Sequence, residues 1–318
     1  MTTCRCCGGD TKRRGFYRNK NFNVQRFECL RCGVSFSEKQ PLDGLRVPME
    51  KAAQTVHLLC EGMGIRAISR FTHLNQETVL NVLELAGQKA VQFLDAKIRN
   101  VKSDFVQVDE LLSFVGTKQQ NTKDEDLEHG NFFTHLSVCR DSKLIVNFQV
   151  SKRFREDSLA FMQDLKSRMA EQFQLTTDGL QTYTCKTGVV REVFGNNIDF
   201  ASETKVFSKE NPFSIWRGRL PAVIRINRRA HIGSPDMRMA TTCHVERMNL
   251  SVRIFNRRFT RCTLGFSKKL ENLKHAVALF VWWFDFVRVH SAHGKTPAQS
   301  AGLTDHQWTF EELLTTTL

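Results

Sequence analysis

The chain has 318 residues, 41% of them hydrophobic, enough to bury a full core and to divide into two or three domains. Its densest apolar run, Ala276–Val287, is short and carries Asp285, which argues against a membrane span; no apolar segment of the secretory kind follows the first residues, so a cytosolic location is expected. Lys and Arg total 46 against 33 Asp and Glu, a formal charge of +13 with a pI near 9.4, which favours a polyanionic partner, while ten cysteines in a cytosolic chain point to metal ligands and reduced core thiols before disulfides.

Residues 1–40 carry two knuckles, Cys4-x-x-Cys7 and Cys29-x-x-Cys32, able to close a tetrahedral site of four thiolates around a structural Zn²⁺. Cys6 competes with Cys7 for the first knuckle, and the two-residue spacing favours Cys7. Between the knuckles Lys12, Arg13, Arg14, Arg18 and Lys20 interleave with Phe16, Tyr17, Phe22 and Phe27, the composition of a small ribbon with a basic surface. Such a segment has too little apolar mass to fold alone, so the metal would supply its stability.

Pro41 and Pro48 bracket a linker, and residues 41–98 then read as helical. The pattern predicts helices over Met49–Glu61 and Ile65–Phe71, a turn at Thr72–Leu74, and a third helix capped by Asn75. This is the order of a helix-turn-helix, with a plain helical bundle as the bland reading; the adjacent ribbon and the positive charge favour DNA binding. Asn75, Gln76, Thr78 and Asn81 are the candidate groove-facing side chains.

From Asp104 the texture changes to strands over Phe105–Val115, Phe133–Cys139 and Leu144–Val150, separated first by a polar loop at Thr117–Asn131. An amphipathic helix over Ser151–Phe173, a short strand at Phe173–Thr177 ending at Asp178-Gly179, a helical stretch near Gln181–Glu192 and a strand at Ile198–Phe200 follow. Residues 202–239 read as a long irregular section rich in arginine (Arg217, Arg219, Arg225, Arg228, Arg229, Arg238), either an insertion that touches DNA or a solvated loop. Helices are expected over Thr241–Arg261 and Lys268–Val289, then a short one from Thr296-Pro297, with Glu311–Leu318 as a weakly ordered tail in the last segment, 296–318. On the Thr241–Arg261 helix, Glu246, Asn249, Arg253 and Arg257 share one face and Met248, Val252, Phe255 and Phe259 form the apolar stripe.

Three strands, a helix, another strand and late helices is the order of an α/β RNase H-like fold, a mixed sheet with flanking helices, here over 99–295. That scaffold brings carboxylates at the end of the first strand, just after the fourth and on a late helix to one point, and Asp109, Asp178 and Glu246 stand at those places. Hard oxygen ligands of this kind suit Mg²⁺ or Mn²⁺ and the two-cation cleavage of a phosphodiester. Any three acids can be chosen from 33 after the fact; Asp109 is followed by Glu110, and Asp178 before glycine is also a turn former.

Together, VDE at Val108–Glu110, TTDG at Thr176–Gly179, HVERMNLSVR at His244–Arg253, TLGFSKKL at Thr263–Leu270, the cysteine pairs and GMGIRAISRF resemble the DDE transposases of bacterial insertion sequences, most closely the insertion-sequence-one family. The resemblance implies Asp109, Asp178 and Glu246 as catalytic metal-binding acids and Arg253 as the basic residue two turns after the glutamate. Asn249, Arg253 and Arg257 would hold DNA phosphate. It further implies terminal inverted repeats and target DNA as partners, hydrolytic nicking followed by 3′-hydroxyl strand transfer, and a homo-oligomer on DNA in a bacterial cytoplasm. Val289-His290-Ser291 and the extra Cys6 depart from the family pattern without touching the acids. The alternative is a catalytically inactive DNA-binding regulator, which has no need to keep the three acids.

Overall fold

The computed structural model describes all residues except 1, 19–22, 39–41, 43–44, 124–125, 209–221, 262 and 317–318, so Lys20, Phe22, Pro41, Arg217 and Arg219 lie outside the described residues. The ribbon is a three-stranded antiparallel sheet of β1 (Thr11–Arg18), β2 (Asn23–Cys29) and β3 (Ser35–Ser37). Three helices follow: α1 (Met49–Cys60), α2 (Ile65–Thr72) and α3 (Gln76–Lys97). Asn75 caps α3 as expected, its Oδ1 accepting from Glu77 N at 3.0 Å.

The central sheet has six strands in the order β6-β5-β4-β7-β8-β9. They are β4 (Phe105–Val115), β5 (Gly130–Cys139), β6 (Ile145–Ser151), β7 (Gln174–Thr177), β8 (Asp199–Phe207) and β9 (Val223–Ile232). β4, β7 and β8 run parallel and the other pairings are antiparallel, which makes the sheet mixed. Helix α4 (Arg155–Arg168) links β6 to β7, and the short α5 (Gln181–Thr184) and α6 (Val189–Phe194) precede β8. After β9 come α7 (Cys243–Phe255), α8 (Leu270–Trp282), α9 (Pro297–Ser300) and α10 (Phe310–Thr315). One hydrophobic core runs from Leu42 to Leu314 and joins the α1–α3 bundle to the sheet and to α8. Gly87 permits that junction: a Cβ there would lie 2.4 Å from His275 Cβ. No helix among the described residues is long and apolar enough to cross a membrane.

Four expectations are corrected. The section over 202–239 is not irregular throughout: β8 continues to Phe207 and pairs with β9. Strand β9, VIRINRRAHI, is an exposed edge, so nothing demands the apolar alternation by which buried strands are recognised. The Thr241–Arg261 helix ends at Phe255, where Asn256 turns its side chain to Ala276 O and Arg258 N, and Arg257 thereby leaves the face of Glu246. The Lys268–Val289 helix stops at Trp282 and widens into a π-turn over Trp283–Val287. Instead of a loose tail, Phe310–Thr315 is a helix with a Thr309–Glu312 capping box, and Leu313 and Leu314 are fully buried.

Candidate functional site

Strand β4 places the acids. Val108 pairs with Thr177 in the parallel register of β4 and β7, so the next residues along, Asp109 and Asp178, come side by side where β7 ends. Helix α7 is fixed across β4 by Gln107, whose Oε1 accepts from the backbone N–H groups of His244 at 2.9 Å and Val245 at 3.1 Å, satisfying donors that a helix start leaves free. Gln107 and Asp109 are two residues apart and share a strand face, so docking α7 on the first brings Glu246 and Asn249 to the second.

Asn249 is buried, and its Nδ2 donates to Asp109 Oδ2 at 2.7 Å. The phosphate contact expected of Asn249 is corrected: at 4% exposure its amide holds a site carboxylate instead. Burial pushes Asp109 up to about 7, and the charges of Asp178, Glu110 and Glu246 add to the rise. Asp178 is also raised, first by burial and then by Glu110, while its Oδ1 accepts from Leu180 N at 3.0 Å. Glu246 is ion-paired with Lys205 and accepts from Thr242 Oγ1 at 2.7 Å. Arg253, half-buried, lies within the electrostatic reach of Asp109 and of Arg261.

Among the described residues, the group of three or more His, Cys, Asp or Glu ligand atoms that lie within 4.8 Å of one another is Cys4, Cys7, Cys29 and Cys32; Asp109 feels the charges of Asp178 and Glu246, but the three acids do not close to that distance. Asp109 and Asp178 nevertheless suit a divalent cation, being adjacent, partly desolvated carboxylates whose mutual repulsion a cation would relieve. An amide and an ammonium, Asn249 and Lys205, hold the oxygens of Asp109 and Glu246.

The cysteine centre matches its expectation, with Cys7 and not the exposed Cys6 in the cluster. Cys4 and Cys32 Sγ are 3.6 Å apart and Cys7 and Cys29 Sγ 3.5 Å, close to the separation of about 3.8 Å that tetrahedral zinc–sulfur bonds of about 2.3 Å impose. Each knuckle closes on a glycine in the left-handed region, Gly8 N reaching Cys4 O and Gly33 N reaching Cys29 O. The N–H groups of Cys32 and Arg31 donate to Cys29 Sγ and draw its thiol down to about 6, while contact with the neighbouring sulfurs holds Cys7 and Cys32 up, so the four sulfurs share too little positive charge for all to ionise unaided.

Of the residues expected to face DNA, Asn75, Gln76 and Asn81 are exposed and Thr78 is half-buried at the start of α3. Arg257 is exposed but lies in the turn beyond α7. Sequence reasoning passed over Gln107 and Lys205, and it weighed Glu110 only as a rival to Asp109. Glu110 instead forms a buried network on the other face of β4, accepting from Tyr183 Oη at 2.6 Å and pairing with Arg153 at 2.7 Å, with His135 Nδ1 at 3.4 Å. An acid directly after the catalytic-type aspartate on a strand must face the opposite way, and that was the available signal.

No family model matches the chain, and no curated protein matches it. Among solved structures it is similar to a piggyBac transposase synaptic complex with hairpin DNA, at 10% identity and TM-score 0.38, covering 84% of this chain and 69% of that one. It is also similar to a Mos1 transposase paired-end complex, at 12% identity and TM-score 0.22, covering 51% and 61%, and to a simian T-cell lymphotropic virus intasome, at 13% identity and TM-score 0.30, covering 84% and 75%. Overlaps this loose carry no weight for function, which rests on the acids.

Proposed function

We propose that the chain is a DDE-type transposase of the insertion-sequence kind, a DNA-cleaving and strand-transferring enzyme. The observation that carries this reading is the convergence of Asp109 and Asp178, adjacent in the β4–β7 register, with Glu246 on a helix that Gln107 docks onto the same strand face. Asp109 and Asp178 would hold a divalent cation, with Glu246 completing the set once released from Lys205. The bound metal, Mg²⁺ or Mn²⁺, would supply Lewis-acid activation of the attacking oxygen and neutralise the leaving one. Asn249 orients Asp109, and Arg253 offers a cation beside it for a DNA phosphate. The segment 41–98 would act as the helix-turn-helix, with Asn75, Thr78 and Asn81 towards the bases, and 1–40 as the zinc ribbon. Both would engage the terminal inverted repeats, with the chains assembling as a homo-oligomer on DNA.

Asp178→Asn should abolish Mg²⁺-dependent nicking of supercoiled DNA carrying the gene's flanking repeats while leaving binding to those repeats intact. Undiminished nicking by that variant would sink the assignment, and wild-type chain that binds but never nicks would instead support the inert regulator. For the ribbon, Cys29→Ser should lose its equivalent of zinc by metal analysis; a variant that retains one full equivalent refutes the four-thiolate site.

A further inference from the structure

Where Arg257 leaves the active-site helix it enters a groove of about 830 Å³ between the start of α2 and the segment that follows α7. Five of the lining side chains are cations, Arg66, Arg70, Arg257, Arg258 and Lys268, and none of its lining residues is Asp or Glu. Arg66 and Arg70 are four residues apart on α2, so they present one face. None of the five forms an ion pair with a described residue. Arg258 is the telling member: its Nε donates to Ser267 Oγ at 2.9 Å, and burial lowers its pKa only to about 10, so it stays charged without an anion beside it. Desolvating an arginine is costly unless an anion compensates, and no acid of the groove does so. Helix α2 also opens into the groove with Gly64 at its N-cap and no side chain capping it, leaving backbone N–H donors and the positive end of the helix dipole towards the same space.

The two walls stand in a fixed relation. A Cβ on Gly62, in the α1–α2 turn, would lie 2.6 Å from Ile254 O near the end of α7, and one on Gly265 would lie 2.8 Å from Arg257 O. The α1–α2 turn is thus seated on the backbone of the helix that carries Glu246, the segment after that helix closes on its own backbone, and the groove bridges α2–α3 to it. Between the cations lie Met63, Ile65, Leu80, Leu264 and Phe266, apolar surface suited to sugar rings, and Lys268 Nζ sits over the Phe266 ring. Gln76, at the start of α3, also lines this groove.

We propose that this groove is a sequence-independent clamp for the phosphodiester backbone of duplex DNA, holding the duplex between the helix-turn-helix and the active-site helix. It rests on the DNA-processing reading above. Guanidinium, ammonium and backbone N–H groups recognise phosphate and carry no base code, whereas Asn75, Thr78 and Asn81 stand apart on α3.

The test uses the full chain and two fluorescent duplexes of about 30 base pairs with unrelated sequences, titrated over a range of salt. Combined Arg66→Gln, Arg70→Gln and Lys268→Gln should lower the slope of log affinity against log salt by about 3 and weaken binding about tenfold or more, equally for both duplexes. The control combines Arg99→Gln, Lys102→Gln and Lys166→Gln, the same loss of charge at the opposite end of β4, an 11-residue strand spanning about 35 Å; it should leave the slope within about one unit of wild type. Wild-type slope in the groove variant, or equal losses in both triples, overturns the clamp while DNA binding stands. A wild-type chain that binds neither duplex at low salt overturns the DNA reading and the clamp with it. The charge-keeping variant Arg66→Lys, Arg70→Lys and Lys268→Arg should retain the slope; if it loses as much as the glutamine variant, packing and not charge is responsible, and the clamp is wrong.

Discussion

Two neighbouring acids on β4, Asp109 and Glu110, occupy opposite faces of one strand and opposite electrostatic worlds. Asp109 is raised to about 7 by burial and by the acids around it, with one amide donor from Asn249. Burial works against the charged form of Glu110 as well, yet hydrogen bonds from His135 and Tyr183 and the charges of His135 and Arg153 outweigh it and hold the carboxyl below the usual range. The Glu110 face is a finished network that stabilises the fold. The Asp109 face is left short of positive charge, which is where the proposed function puts a divalent cation.

The largest expected effect comes from breaking the finished face. Glu110→Gln removes the charge that pairs with Arg153 and should cost about 3 kcal/mol of stability by urea denaturation at pH 7 in EDTA. Because its folded pKa is depressed, the contribution of Glu110 is complete above the ordinary glutamate value near pH 4.3 and lost as pH falls through the folded value. The variant should therefore lose its penalty in acid, and a penalty that persists unchanged below pH 3 would mean packing and not charge.

Asp109→Asn should do the reverse. A raised folded pKa means that Asp109 costs nothing below about pH 4, and that stability falls as pH climbs from there to about 7 in the metal-free chain. The asparagine variant should lack that descending limb, be more stable than wild type at pH 8 in EDTA, and lose nicking. Mg²⁺ at pH 8 should raise the melting temperature of wild type but not of the variant, since only a ligand that binds the folded state shifts it. An equal Mg²⁺ response in both would separate Asp109 from any metal site.

How much of this was legible follows from what each feature depends on. The cysteine pairs were, because ligand spacing within a knuckle is local, and the Sγ atoms meet as the spacing implied. The adjacency of Asp109 and Asp178 was, because strand order and a strand end fix both, and β4 and β7 lie where alternation put them; the role given to these acids is the proposal. Asn249 was misread because its spacing from Glu246 gives the helix face but not which way that face turns. That depends on Gln107, a polar strand residue reaching the helix start from more than a hundred residues away. The β8–β9 pairing was hidden for a different reason: Glu203 is buried against Arg228 and Thr242, so a charge-paired, exposed edge strand reads as polar loop. The groove at α2 needed residues from two distant segments, Arg66 and Lys268, that no local pattern connects.

The smallest effect sharpens the comparison most. Tyr183 is almost wholly buried, and its hydroxyl donates to Glu110 at 2.6 Å while lying 3.1 Å from His135 Nδ1. Tyr183→Phe keeps the ring and opens no cavity, so its cost should be that of one hydrogen bond to a charged acceptor, about 2 kcal/mol. If the phenol acts by holding the Glu110 charge, that cost should vanish in a Glu110→Gln background and the acid limb of the single variant should move to higher pH, because a carboxylate that loses a donor binds its proton more readily. If the cost survives in the double variant, the hydroxyl is serving His135, and the Glu110 face is then two separate contacts that share a residue instead of one compensated charge.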